Sequence, residues 1–449
     1  GEDHATPGAP GLRHPVDASG NLPRRQRLVS DMLTRRSLLR LAGVSAGATV
    51  LGACAPRTEP TRPDHGDLLF AATIGGLVAI DTVTGKSALP GPATLATHDW
   101  KQVVTTRPDA KGTRYTAEDP ATGQVLIGGT VRDALEPRVV SPDGRLLALA
   151  TPTPAGADPY RPAGRDRTTI VIADAAGERS RLDLSGNLEP EAFSDDGRLL
   201  YVLDYLPPEQ PDRYRVRAVD LATRTLTALW TRDKKSIPPG AEETMRGEGR
   251  QAVYDRSRKI LFTLYTHQPD HQHTRDLIGA RADKPDVHAF VHSLNLEQGW
   301  AYCIDLPGPF GETAAAGHTI ALAPYGHELY VASAASGVLA RIDPGELVVK
   351  GVALFAGTEG AAASEATRTD QLVIGAGRRL VVQPVDGGAP NASWQTRNPV
   401  RGLALCGSRV YVGQDNAAVA YDLSSGREVS RVAVPGLVAV RHAVERAPV

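Results

Sequence analysis

LALCGSRVYVGQDNAAVAYDLSSGREVSRVAV, residues 403–434, holds one complete structural unit. A short apolar run (LALC, 403–406) meets a turn. Then come VYVGQD (410–415), AVAYDL (418–423), the polar turn SSGR (424–427) and EVSRVAV (428–434). Runs of this length, rich in Val and Tyr and separated by turn residues, read as strands. Asp422 closes the third run, where a short carboxylate can accept from its own backbone, and Gly426 tolerates a positive φ. A lone four-stranded sheet cannot dry both of its faces. Sheets stacked around an axis can.

Outward from that unit, the chain repeats it. LLFAATIGGLVAIDTVTGKSAL (68–89) supplies the second to fourth strands of a copy. RVVSPDGRLLALAT (138–151) with TIVIADAAGERSRLDL (169–184) makes another. EAFSDDGRLLYVLDY (191–205) continues into YRVRAVDLATRTLTALW (214–230). AVYDRSRKILFTLYT (252–266) leads to HAFVHSLNLEQGWAYCIDL (288–306), and TIALAPYGHELYVASAASGVLARIDP (319–344) to LVVKGVAL (347–354). Two copies, at 100–129 and 371–388, are degenerate. The expectation is an all-β chain, a β-propeller of four-stranded blades. The count is eight, and the degenerate copies leave seven open. The first copy lacks its opening strand, and GLVAVRHAV (436–444) follows the last. That run is expected to lie beside LLFAAT and seal the ring, removing two open sheet edges.

VSPDGRLLALAT, LVAIDTVTGK and YVGQDNAAVAYDLSSGREV resemble the repeats of YVTN-type bacterial propellers, across roughly residues 67–444. The resemblance implies the fold. It implies little about function, because that group includes sugar-lactone hydrolases, binders and proteins of unknown role, and one fold hosts many functions.

The first residues read as an address. Thr34-Arg35-Arg36-Ser37-Leu38-Leu39-Arg40 fits a twin-arginine export signal, with Arg35 and Arg36 as its pair. A small-residue apolar segment follows, too short to span a bilayer as a mature helix. Leu51-Gly52-Ala53-Cys54 resembles a lipobox, which makes Cys54 the expected lipidation site. The expected organisation is a disordered extension (1–31), a signal peptide (32–54), a Pro- and Thr-rich tether (55–66) and the propeller (67–444). The protein is then expected on the extracytoplasmic face of the cell membrane, held by its lipid.

Hydrophobic residues are 41% of the 449, enough for a large core, and the net charge of -1 gives no basic face for nucleic acid. Cys303 and Cys406 read as small buried hydrophobes in strands, in units too far apart to pair. The chemistry-bearing candidates are the histidines of YTHQPDHQHTRDLIGARADKPDVHAFVH (265–292): His267, His271, His273, His288 and His292. Neutral imidazole suits zinc, copper and nickel. These histidines have no firm ligand spacing, so a solvated loop is the plainer reading and no metal or cofactor is expected. His288 and His292 would share one face if both lay on a strand. No nucleophile elbow, phosphate-binding loop or other catalytic motif is present. The reading is a binding or scaffold module with an unidentified protein or small-molecule ligand. A hydrolase of a sugar-lactone or similar small substrate and a structural subunit of an envelope complex are the alternatives.

Overall fold

The computed structural model describes residues 66–88, 94–152, 161–279 and 288–446. The proposed export signal and Cys54 lie outside the described residues. Among the described residues, no helix is long and apolar enough to cross a membrane.

Eight blades form the propeller: seven have four antiparallel strands, and the fifth carries one more, Trp230–Thr231, paired parallel to its fourth strand. The repeat at 403–434 becomes strands Leu403–Cys406, Arg409–Gln414, Ala417–Asp422 and Glu428–Ala433, the eighth blade. Both degenerate copies are full blades, so the count is eight. The last strand, Leu437–Val444, pairs antiparallel with Leu68–Thr73, matching Leu68 with Val444 and Thr73 with Leu437. The chain's two ends therefore build the first blade together. Gly402 makes the junction tight: its φ is +73°, and a Cβ there would lie 2.2 Å from the Val440 carbonyl oxygen.

The turns form as the sequence implies. The Ser141 hydroxyl donates to Asp143 (2.6 Å), whose carboxylate accepts from Arg145 N (3.0 Å). Ser194 and Asp196 repeat the device at 2.6 and 3.0 Å. Asp81, Asp220 and Asp422 accept from the backbone three residues on, at 2.8, 2.9 and 2.8 Å. Gly85 and Gly426 take the left-handed position of this turn, but in the fourth blade Arg224 takes it, at φ 60°.

Side chains alternate across each strand and meet those of the next blade, so the core is a set of inter-blade clusters. Val139, Ile170 and Ile172 of blade three pack on Phe193, Leu200 and Val202 of blade four. Leu69, Ala71 and Val440 of blade one meet Tyr411, Ala418 and Ala420 of blade eight. Each large aliphatic buried this way contributes about 1.5–3 kcal/mol. Inner strands also exchange polar contacts: Glu191 pairs with Arg250, Gln251 Nε2 donates to the His318 carbonyl, and Leu405 N donates to Glu365 at 2.7 Å.

The interface between blades four and five differs. Its apolar lining is split in two. One part holds Tyr201, Leu229, Leu261 and Leu294; the other holds Leu203, Tyr214, Tyr265, Phe290 and Cys303. Polar side chains stand beside the second part.

Candidate metal centre

Three segments build the polar cluster. The link from blade four to blade five, residues 232–250, brings Glu243. Met245 and Tyr214 pin that link by exchanging backbone hydrogen bonds of 2.8 and 2.7 Å. The connection between the second and third strands of blade five brings His271 and His273, and a short helix, Thr274–Ile278, follows them. Buried Gln268 ties this arm to the link: its Oε1 accepts from Arg246 N (2.7 Å) and its Nε2 donates to Arg246 O (2.9 Å). The third and fourth strands, Phe290–Asn295 and Trp300–Asp305, bring His292 and Cys303, which are register partners.

One ligating atom from each of Glu243, His271, His273 and Cys303 lies within 4.8 Å of all the others. His271 Nε2 is 3.0 Å from His273 Nδ1 and 3.8 Å from Glu243 Oε2. His273 Nδ1 is 3.4 Å from Glu243 Oε2. Cys303 Sγ is 3.3 and 3.5 Å from the two Glu243 oxygens, and His292 Nε2 is 3.6 Å from Oε1. Metal–ligand bonds of about 2.0–2.3 Å place tetrahedral donors roughly 3.3–3.8 Å apart, so the spacing suits one small cation. Phe290 lies under His271, ring centroids 4.2 Å apart, and gives the site a dry floor. A cavity of about 20 Å³ adjoins it, touching Glu243, Thr274 and His292.

The outer hydrogen bonds aim the donors inward. His271 Nδ1 sits 3.1 Å from the Thr244 carbonyl, which only accepts, so the ring proton belongs there and Nε2 presents a lone pair. His273 Nε2 sits 2.6 Å from Asp305, so its Nδ1 faces the cluster. Two imidazole lone pairs and a carboxylate oxygen then point at one another, and only a shared proton or a cation relieves that.

The electrostatics agree. Burial pushes Glu243 upward, but His273, His292 and His271 together outweigh it and hold the carboxyl well below the usual range. Burial pulls His271 down to about 4. Burial would lower His273 too, yet Asp305 and Glu243 keep it above its ordinary value. Burial, then Glu243, raise the Cys303 thiol well above its own. An isolated buried carboxylate is costly, and a metal dication would answer that cost and displace these protons.

Of the five histidines singled out in the sequence, the fold brings His271, His273 and His292 together. It leaves out two. His267 bonds its neighbour Thr266 at 2.8 Å. His288 is exposed, and the strand begins only at Phe290, so it does not share a strand face with His292. Glu243 and Cys303 were not singled out as ligands. Glu243 lies in a different inter-strand segment, and Cys303 reads as an apolar strand residue until its partner across the strand is known. Both Cys303 and Cys406 are free and buried.

No protein-family profile matches the chain, and no curated protein matches it. Solved structures share its fold. Apo AztD from Citrobacter koseri has a TM-score of 0.51 at 12% identity, covering 85% of this chain and 98% of that one. A second crystal structure of Citrobacter koseri AztD gives 0.51 at 11% identity with the same coverage. Saccharomyces cerevisiae Sqt1 gives 0.45 at 9%, covering 84% and 88%. At 11–12% identity the likeness to AztD is one of fold alone.

Proposed function

We propose that this chain is a membrane-tethered extracytoplasmic propeller that binds a borderline transition-metal dication of the zinc class between its fourth and fifth blades. The convergence of Glu243, His271, His273 and Cys303 carries this reading. It is the one group of three or more such side chains among the described residues. A thiolate with imidazoles selects zinc or cobalt over magnesium and calcium, which prefer oxygen donors. A hydrolase reading finds less support: of the inner-strand carboxylates, Glu189 faces Arg138 and Arg165, Glu191 faces Arg250, and Glu365 accepts from Leu405 N.

The tether fits this arrangement. Asp67 begins the described propeller on the face of the strand-one-to-two turns, where its carboxylate accepts from Tyr411 (2.6 Å) and pairs with Arg409 (2.9 Å). His271 and His273 lie on the opposite face, with the strand-two-to-three connections. A lipid on Cys54 would therefore join the propeller from the face opposite its metal centre.

The test is titration of the purified propeller with zinc and cobalt(II), alongside a double variant, His271→Ala with His273→Ala. One tight equivalent in the parent and none in the variant is expected. Equal binding by both overturns the assignment. Cys54→Ala should move the protein from membranes to the soluble fraction, and its retention would remove the tether from the proposal.

A further inference from the structure

We infer that Asp305 is the positioning residue of this centre: it selects the nitrogen of His273 that faces the metal and fastens the histidine arm to the strand that bears Cys303. The inference rests on the metal reading above. Asp305 ends the fourth strand of blade five and is not itself among the converging donors. Its Oδ1 lies 2.6 Å from His273 Nε2. The same carboxylate takes Arg275 Nη2 on both oxygens at 2.8 Å. Arg275 closes the loop by donating from Nη1 to the Cys303 carbonyl (2.7 Å), and its guanidinium lies 5.1 Å from the centre of the Tyr302 ring.

Two residues of one arm are therefore held by one carboxylate. An imidazole offers one proton to two nitrogens, and a carboxylate only accepts, so Asp305 keeps the proton on Nε2 and leaves Nδ1 for the cation. A carboxylate behind a ligating histidine also makes the inner nitrogen a stronger donor, and losing such a partner typically weakens metal binding by about 10–100-fold. The Thr244 carbonyl does the corresponding work for His271 on the opposite nitrogen. The two histidines thus present different ring atoms to one point, and each outer acceptor dictates which.

Cobalt(II) binding separates this role from simple stability. Asp305→Leu keeps the bulk and loses the acceptor, and Asp305→Asn keeps a neutral acceptor. Arg275→Met loosens Asp305 and leaves every donor in place. The expected order of affinity is parent, then Asp305→Asn, then Asp305→Leu, the last weakened by about 10–100-fold. All should keep the sulfur-to-cobalt absorption band, because Cys303 is untouched. Arg275→Met should shift in the same direction by less, and it carries the test if Asp305→Leu does not fold. Parent-like affinity in Asp305→Leu, or in Arg275→Met where Asp305→Leu does not fold, overturns the role of Asp305 and leaves the metal reading standing. No cobalt binding by the parent overturns both.

Discussion

His292 and Cys303 face each other across neighbouring strands and converge on one oxygen: His292 Nε2 lies 3.6 Å, and Cys303 Sγ 3.3 Å, from Glu243 Oε1. Strand pairing alone delivers a sulfur and a nitrogen to the same carboxylate. The pairing is part of the rigid blade, whereas Glu243 and the histidine arm come from connections, so the centre joins a fixed half to a half held by hydrogen bonds.

If Cys303 binds the metal as thiolate, Cys303→Ser should abolish the near-ultraviolet sulfur-to-cobalt band and weaken binding, with the fold retained. The burial-raised thiol must lose its proton on binding, so affinity should also climb with pH in the parent. Absorption titrations at two pH values check both. A band that survives in Cys303→Ser excludes the sulfur.

Glu365 should make the propeller less stable toward alkaline pH. Burial pushes its carboxyl up to about 7, against the Leu405 N–H that it accepts. A raised carboxyl is protonated more readily in the folded state than in the unfolded one. Its contribution is full below the unfolded value, near 4.5, and is lost as pH rises through about 7. Glu365→Gln should gain roughly 2 kcal/mol above pH 8, a figure below the full shift because the carboxyl keeps some contact with solvent. Urea unfolding at pH 5 and pH 8.5 reads it, and equal gains at both would discount the titration.

Closing the ring requires glycine at 402. Gly402→Ala meets the Val440 carbonyl at an already left-handed φ and should cost about 2 kcal/mol or more. Gly351→Ala, in an outer strand with nothing within 4 Å of the added carbon, should be neutral or slightly stabilising. Thermal melts of the pair make the comparison, and equal melting temperatures would deny the seam its tight packing.

Arg224 occupies a turn position that Gly85 and Gly426 fill in other blades. Replacing it with glycine should raise stability by up to about 1 kcal/mol, since a side chain at positive φ is strained. A drop in denaturation midpoint would show that the arginine makes a contact worth more than the strain.

The architecture was legible in the chain because it depends on local information repeated many times. The alternation within LALC, VYVGQD and AVAYDL, and the Asp-led turns between them, set strand length and spacing one unit at a time. GLVAVRHAV could be matched by counting to the first copy, which lacks its opening strand. Three histidines of the centre were visible as a cluster of one residue type. Glu243, Cys303 and Asp305 were not, because a glutamate in a link, a cysteine in an apolar strand and an aspartate at a strand end each have an ordinary local explanation. Only the docking of the 232–250 link and of blade five's histidine arm onto that blade's third and fourth strands decides that these groups meet, and that His267 and His288 do not join them. Strand periodicity acts between neighbours in sequence, whereas ligand convergence depends on through-space distances that the chain acquires when its sheets dock.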